Sequence, residues 1–133
     1  MRVMFLGTGA AEGWPAVFCQ CANCKRARDA GGRNVRTRSS TLINNDLKID
    51  FPPDTYHHVL RHGIELADVK NLLITHTHQD HFYVEEFCMR SKPFAKLLNE
   101  EALHVYGNTA VYSKIRELDS STNGRLKGVV EAY

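Results

Sequence analysis

The sequence lacks the long apolar run that a membrane-spanning helix needs. Such a helix takes roughly 18 or more consecutive apolar residues, whereas the apolar start of the chain, residues 1–6, stops at Gly7. That start is also too short for a secretory signal. The 133 residues carry a net charge of +2 and contain no internal repeat, linker or low-complexity segment. We therefore expect one globular domain in the cytoplasm, and the charge alone favours no polyanionic partner.

The chain has four cysteines, and three of them lie within six residues, at Cys19, Cys21 and Cys24. Without an export signal, neighbours this close are not expected to form a disulfide framework. Three thiolates at this spacing can hold one Zn²⁺, and a structural zinc site needs a fourth ligand. Cys88 is a candidate, although its apolar helical surroundings favour a buried thiol. A redox role for Cys21 and Cys24 is the weaker alternative.

Hydrophobic periodicity and turn residues predict short strands that alternate with helices. Asn45-Asp46 offers a hairpin turn, Gly63 ends a helix and Asn108 can cap another. The predicted strands are residues 2–6, 40–44, 47–51, 71–75, 103–106 and 126–133. The predicted helices lie within residues 19–30, 52–62, 82–90, 93–101 and 109–118.

The predicted strand 71–75 leads directly into a segment rich in metal-ligand residues, His76-Thr77-His78-Gln79-Asp80-His81. In an extended chain His76, His78 and Asp80 would point to one side, and His81 follows at a turn. Imidazole and carboxylate ligands suit Zn, Mn or Fe. Four such groups in six residues exceed what one metal takes from so short a segment, and two metals roughly 3.5–4 Å apart would account for them. The alternative is a solvated, histidine-rich loop.

His-x-His-x-Asp-His at the end of a buried strand resembles the hallmark of the metallo-β-lactamase superfamily. The resemblance implies an α/β fold (α+β in some schemes), a sandwich of two mixed sheets covered by helices. It implies that His76 and His78 bind a first metal and that Asp80 and His81 bind a second. It also implies that Asp80 orients the nucleophilic hydroxide. Asp50 matches an aspartate that often supports the site, and a simple strand-end cap is the alternative.

The cysteine segment resembles one branch of this superfamily, which contains the cyclic phosphodiesterase of phosphonate breakdown and a protein of pyrroloquinoline quinone synthesis. In that branch a Gly-Thr-Gly loop precedes Cys-x-Cys-x-x-Cys, a basic helix and an Arg-Ser pair, matched here by residues 7–9, 19–24, 25–28 and 38–40. The resemblance implies that Cys19, Cys21 and Cys24 hold a structural Zn²⁺. The branch takes its fourth ligand from a histidine at a position that this chain does not reach.

These features predict a metal-dependent hydrolase, and more narrowly a phosphodiesterase that uses a metal-bound hydroxide. We expect two divalent metals (Zn or Mn) at the active site, and a small phosphodiester or RNA rather than a membrane as partner. The competing hypothesis is a non-catalytic, zinc-stabilised module that binds nucleic acid or a partner through the basic residues 25–38. His58 and His62, at i,i+4 spacing, are expected on a surface helix rather than in a metal site.

Part of the superfamily pattern has no counterpart in this sequence. The fold takes about 200 or more residues, and its later histidine and aspartate ligands have no candidate after His81, because His104 comes too early. Half of a sandwich would expose an apolar sheet face, at a cost of about 25 cal/mol per Å². We expect residues 1–133 to be an incomplete, N-terminal domain, a fragment whose sheet the missing C-terminal half covers. The alternatives are that a second copy, in a homo-oligomer, or another chain covers the sheet, or that the chain is an inactive remnant.

Overall fold

The computed structural model describes residues 1–133 and contains one six-stranded sheet with the order β1-β2-β3-β4-β5-β6. Strands β1 to β3 are antiparallel, and β3 to β6 are parallel. The strands are β1 Val3–Gly7, β2 Ser40–Ile43, β3 Leu47–Ile49, β4 Asn71–Leu73, β5 Leu103–Tyr106 and β6 Val130–Ala132. The α-helices are α1 Ala22–Ala30, α2 Thr55–His62 and α3 Thr109–Ser121. Short 3₁₀ segments cover Gly32–Asn34, Leu66–Asp68 and Val84–Arg90.

Local sequence signals set the boundaries of several elements. The hairpin pairs Ile43 with Leu47 across the predicted turn. Helix α2 ends at Gly63, which adopts a left-handed conformation with φ 61° that suits glycine. The side chain of Asn108 caps α3 by accepting hydrogen bonds from the backbone of Ala110 and Val111. The predicted hairpin and these two helices are therefore confirmed.

Three predicted elements of the second half are wrong in type or extent. Residues 93–101 form no helix, and residues 82–90 contain a 3₁₀ segment instead of an α-helix. Leu98 in the first of these is 92% exposed, and a short helix that packs little apolar surface is not stable. The predicted strand 126–133 shrinks to β6 because the backbone N–H of Val130 bonds to Leu126 in a turn.

The hydrophobic core lies on one face of the sheet. Leu72 and Val105, from β4 and β5, are 1% and 0% exposed. Val111 and Ile115 of α3 and Phe87 of the 3₁₀ segment Val84–Arg90 belong to the same buried cluster. This packing fixes β3 to β5, whose carboxyl ends carry the candidate site.

The opposite face of the sheet, here called the open face, presents apolar side chains to solvent. Phe5 is 69% exposed, and Leu73 and Tyr106 are 42% and 40% exposed. The structure contains no helix with the length and apolar character that a membrane crossing requires.

Candidate metal centre

The histidine segment is a loop anchored at both ends to the carboxyl edge of the parallel strands. It leaves β4 through Ile74, whose N–H donates to Tyr106 O of the neighbouring strand at 2.8 Å. It returns beside β3, where Phe51 N donates to His81 O and Tyr83 N donates to Phe51 O, both at 2.7 Å. Ligand sites of α/β sheets commonly lie outside this edge, so the segment occupies a position suited to chemistry.

Asp50 is the buried centre of the hydrogen bonds that hold this loop. Its carboxylate accepts from Thr75 N at 2.8 Å and from Thr75 Oγ1 at 2.9 Å. It also accepts from His81 Nδ1 at 2.7 Å. A strand-end cap accounts for the bonds to Thr75 but not for the bond to His81. The structure therefore brings Asp50 into contact with the histidine segment.

His81 is oriented by carboxylates on both ring nitrogens. With Nδ1 bonded to Asp50, its Nε2 lies 3.3 Å from Asp80 Oδ2. A histidine that donates one ring N–H to a carboxylate presents the other nitrogen as a metal ligand in many metal sites. The pair His81 and Asp80 therefore fits the donor chemistry of a divalent metal.

His76 and His78 lie next to this pair. The ring centroids of His76 and His81 are 4.1 Å apart, and those of His76 and His78 are 4.8 Å apart. The four predicted ligands, three imidazoles and a carboxylate, are therefore neighbours along one loop, whereas three or more ligand atoms come close together only at Cys19, Cys21 and Cys24. The donor set of imidazoles and a carboxylate suits Zn or Mn.

Two contacts of the histidine segment were missed by the sequence reasoning. The Thr75 hydroxyl contacts Asp50 and lies 3.1 Å from His76 Nδ1. Lys114 of α3 donates from Nζ to Thr77 O at 2.7 Å, which ties the loop to that helix. Thr75 could have been suspected from its place at the strand end before the first histidine, whereas nothing in the sequence singles out Lys114.

The cysteine segment forms a second candidate site at the start of α1. The sulfur atoms of Cys19, Cys21 and Cys24 all lie within 4.8 Å of one another. Tetrahedral zinc thiolate sites have S···S distances of roughly 3.8 Å, given Zn–S bonds of about 2.3 Å. Cys24 is buried and Cys21 is exposed, while Cys88 lies in the hydrophobic core cluster and not with the other three. The three thiols fit a zinc ion.

The electrostatics of Cys21 favour the form that binds metal. Cys21 is the N-cap of α1, and its sulfur accepts from the backbone N–H of Cys24 at 3.5 Å. That hydrogen bond, helped by the thiols of Cys19 and Cys24, lowers the pKa of Cys21 to about 7. A thiolate is therefore well populated near neutral pH.

His58 is not on the surface, so the prediction of a surface helix is wrong for this residue. It is 0% exposed, and its Nε2 lies 2.8 Å from Thr37 Oγ1. Burial is the main cause that lowers the pKa of His58 to about 4. The residue packs α2 against the chain segment before β2, which the i,i+4 spacing with His62 could not indicate.

Three solved structures align with nearly all of the chain. The zinc-bound PqqB of Methylobacterium extorquens covers 100% of it with a TM-score of 0.75 and 21% identity. A diphosphatase of the PhnP family covers 98% with a TM-score of 0.73 and 22% identity. The short form of human tRNase Z covers 99% with a TM-score of 0.66 and 20% identity. The chain has the metallo-β-lactamase fold.

The chain spans about half of each metallo-β-lactamase neighbour, namely 45% of PqqB, 49% of the diphosphatase and 43% of tRNase Z. It corresponds to their N-terminal portion. The predicted fold class and the predicted resemblance are therefore confirmed.

Sequence comparison gives shorter matches, and no family model matches the chain. An octanoyltransferase of Porphyromonas gingivalis is 39% identical over 85 residues, 61% of this chain. Coenzyme PQQ synthesis protein B of Pseudomonas putida is 43% identical over 47 residues, 35% of this chain. Each match covers only 16% of the relative, so neither name carries an activity over to this chain.

Proposed function

We propose that this chain supplies the metal-binding part of a metal-dependent hydrolase that acts on phosphodiesters. The observation that carries the proposal is the chain of contacts from Asp50 through His81 to Asp80. A carboxylate that fixes one nitrogen of a histidine while the other faces a second carboxylate is typical of a metal site and its supporting residue. Its position at the carboxyl edge of β3 and β4 adds support.

Each residue of the cluster then has a role. His76 and His78 would hold a first divalent metal, Zn or Mn, and Asp80 and His81 would hold a second. When bound, such metals lower the pKa of water and stabilise developing negative charge. Asp80 would be the catalytic residue that orients the attacking water, and Asp50 would hold the ring of His81 in place.

A phosphorus-centred substrate is favoured by the names of two structural neighbours. A diphosphatase and a tRNase both cleave bonds between phosphorus and oxygen, and both share this fold over nearly the whole chain. The substrate would be a small phosphodiester or RNA. Since the chain spans less than half of each neighbour, the rest of the substrate site would come from residues outside this chain.

We further propose a structural Zn²⁺ on Cys19, Cys21 and Cys24. The support is the mutual distance of the three sulfur atoms and the lowered pKa of Cys21. Free thiols of this kind persist in a reducing compartment, so we also propose a cytoplasmic location.

Metal analysis of the purified chain tests the proposed active site. The expected result is zinc on the thiols plus further metal that is lost in His76→Ala and retained in His57→Ala, a control at an exposed histidine of α2. Hydrolysis of bis-p-nitrophenyl phosphate, if present, should be lost in the first variant only. Zinc bound through thiolates alone, with no change in His76→Ala, would contradict the hydrolase proposal for this chain.

One surface supports the competing function, a zinc-stabilised module that binds nucleic acid. An open groove of about 350 Å³ is lined by Trp14, Arg28 and Arg36, among others. An aromatic ring beside guanidinium groups suits a stacked base and its phosphate. Under this alternative, Arg36→Ala would weaken binding of a fluorescent RNA oligomer while His76→Ala would leave it unchanged.

The open face requires a cover, because exposed apolar surface of this extent is unfavourable in water. We propose that a second sheet outside this chain, or failing that a second copy, packs against it. The support is the exposure of Phe5, Leu73 and Tyr106 on one side of the sheet.

A further inference from the structure

Lys48 is a fully buried lysine whose amine contacts the backbone of Asp50, the residue that supports the candidate metal centre. It lies on β3 with 1% of its surface exposed. Its Nζ donates to Ser40 Oγ at 2.6 Å and to the backbone oxygen of Asp50 at 2.5 Å. Ser40 Oγ lies 3.0 Å from the same backbone oxygen and 3.1 Å from Ile49 O, and its one proton can be donated to either. Two buried polar side chains thus converge on the carbonyl group of Asp50.

This arrangement is costly for the fold and therefore calls for an explanation. Lys48 forms no ion pair with a carboxylate within 4 Å. The charge of Asp50 acts on its amine from farther away, and the amine lies 5.0 Å from the centre of the Phe51 ring. Burial is the main cause that lowers its pKa to about 7. An apolar side chain of similar size would avoid the desolvation of the amine, since replacing buried charges with hydrophobic residues is often neutral or stabilising.

The backbone conformation of Asp50 explains why a buried amine is useful at this position. Asp50 has φ 58°, in the left-handed region that non-glycine residues rarely adopt. Its N–H donates to Leu73 O at 2.9 Å, so neighbouring groups fix the peptide units on both sides of the residue. A strained backbone persists only where its surroundings hold it, and such strain is concentrated at functional sites.

We propose that Lys48 is a positioning residue for the metal centre, which fixes the carbonyl group of Asp50 so that the Asp50 carboxylate orients His81 toward Asp80. The metal-binding purpose of this role rests on the function proposed above. The hydrogen bonds that link Lys48 to His81 through Asp50 do not depend on that function. Lys48 itself touches no candidate ligand and would act through Asp50 alone.

The test compares Lys48→Met with Val105→Ala. The first variant removes the amine at nearly constant volume. The second removes buried methyl groups from β5, where Val105 is 0% exposed, and so serves as a matched core control. Two readouts are used: the ¹H–¹⁵N signal of His81 Nδ1–H in the metal-free chain, and the dissociation constant for Mn²⁺, which prefers imidazole and carboxylate over thiolate.

We expect Lys48→Met to lose or broaden the His81 Nδ1–H signal and to raise the Mn²⁺ dissociation constant by about tenfold, the lower end of the range for residues that support metal ligands. Val105→Ala should lower the melting temperature and leave both readouts as in the wild type. The inference is overturned if Lys48→Met leaves both unchanged, or if Val105→Ala shifts them equally. If the wild type binds no metal beyond the zinc on the thiols, the proposed function fails, and the His81 signal alone decides the role of Lys48.

Discussion

Lys48 should make the stability of this chain depend on pH in a way that one substitution removes. Burial is the main cause that lowers its pKa in the folded state from 10.5 to about 7, while the nearby charge of Asp50 opposes this. The unfolded chain keeps the proton up to the ordinary pKa, so unfolding takes up a proton between these two values. The free energy of unfolding therefore rises with pH across this window, and the full cost of burying the amine is present below pH 7.

The size of the effect follows from the two pKa values. The interval between about 7 and 10.5 corresponds to about 5 kcal/mol, at about 1.4 kcal/mol per tenfold change in proton affinity. About 2 kcal/mol of it should be recovered between pH 7 and pH 9. That is a large share of the roughly 5–15 kcal/mol that stabilises a typical domain.

Urea unfolding at pH 7, 8 and 9 under reducing conditions measures this effect in wild type and in Lys48→Met. Cys21, whose pKa is also lowered, titrates over the same range, and its contribution cancels in the difference between the two proteins. The difference should change by about 2 kcal/mol from pH 7 to pH 9. Lys127→Met, at an exposed lysine, should behave as the wild type. Parallel stability curves for wild type and Lys48→Met would refute the reasoning.

Three further predictions concern the two metal sites and the open face. Asp50→Asn, which tolerates the positive φ of this position, should raise the Mn²⁺ dissociation constant by about 10–100-fold in calorimetric titration; an unchanged value would exclude a supporting role. Cys21→Ser should abolish the drop in melting temperature that a zinc chelator causes in the wild type. At zinc a hundredfold above its dissociation constant, that drop reflects a loss of about 3 kcal/mol in the free energy of unfolding. Phe5→Lys should reduce self-association measured by light scattering, and a wild type that stays monomeric at all concentrations would contradict that expectation.

The parts of the fold that local chemistry determines could be predicted from the sequence. Asn108 caps α3, Gly63 ends α2 and the hairpin turn joins β2 to β3 because each depends on a few neighbouring residues. The segment 93–101 was wrongly predicted as helical because its composition favours a helix, whereas stability requires an apolar face to pack. Leu98 is 92% exposed and Ala95 and Leu97 are only partly buried, so the segment packs little apolar surface.

The sequence indicates the candidate ligands and, by resemblance, Asp50 as their support, but it does not indicate the contacts that join them. The spacing of His76 to His81 is visible in the sequence, whereas the bonds from Asp50 to Thr75 and His81 join residues 25 and 31 positions apart. The sequence pattern did not indicate that Lys48 is buried, because alternation along Leu47-Lys48-Ile49 predicts that the two apolar residues point inward. The structure does the reverse and buries the lysine, on the same face as Asp50 two residues later.

Strand β1 shows why the open face is apolar. Along β1, Met4 and Leu6 contribute to the core while Val3 and Phe5 are 44% and 69% exposed, so the strand is apolar on both sides. Strands that are apolar on both faces are characteristic of sheets covered on both sides. We propose that this sheet, whose inner face holds Lys48 and Asp50 and whose outer face carries Val3, Phe5 and Tyr106, is an internal layer covered on both sides. The alignment of the chain with 45% of PqqB supports this proposal, because it leaves more than half of that neighbour's residues to form such a layer.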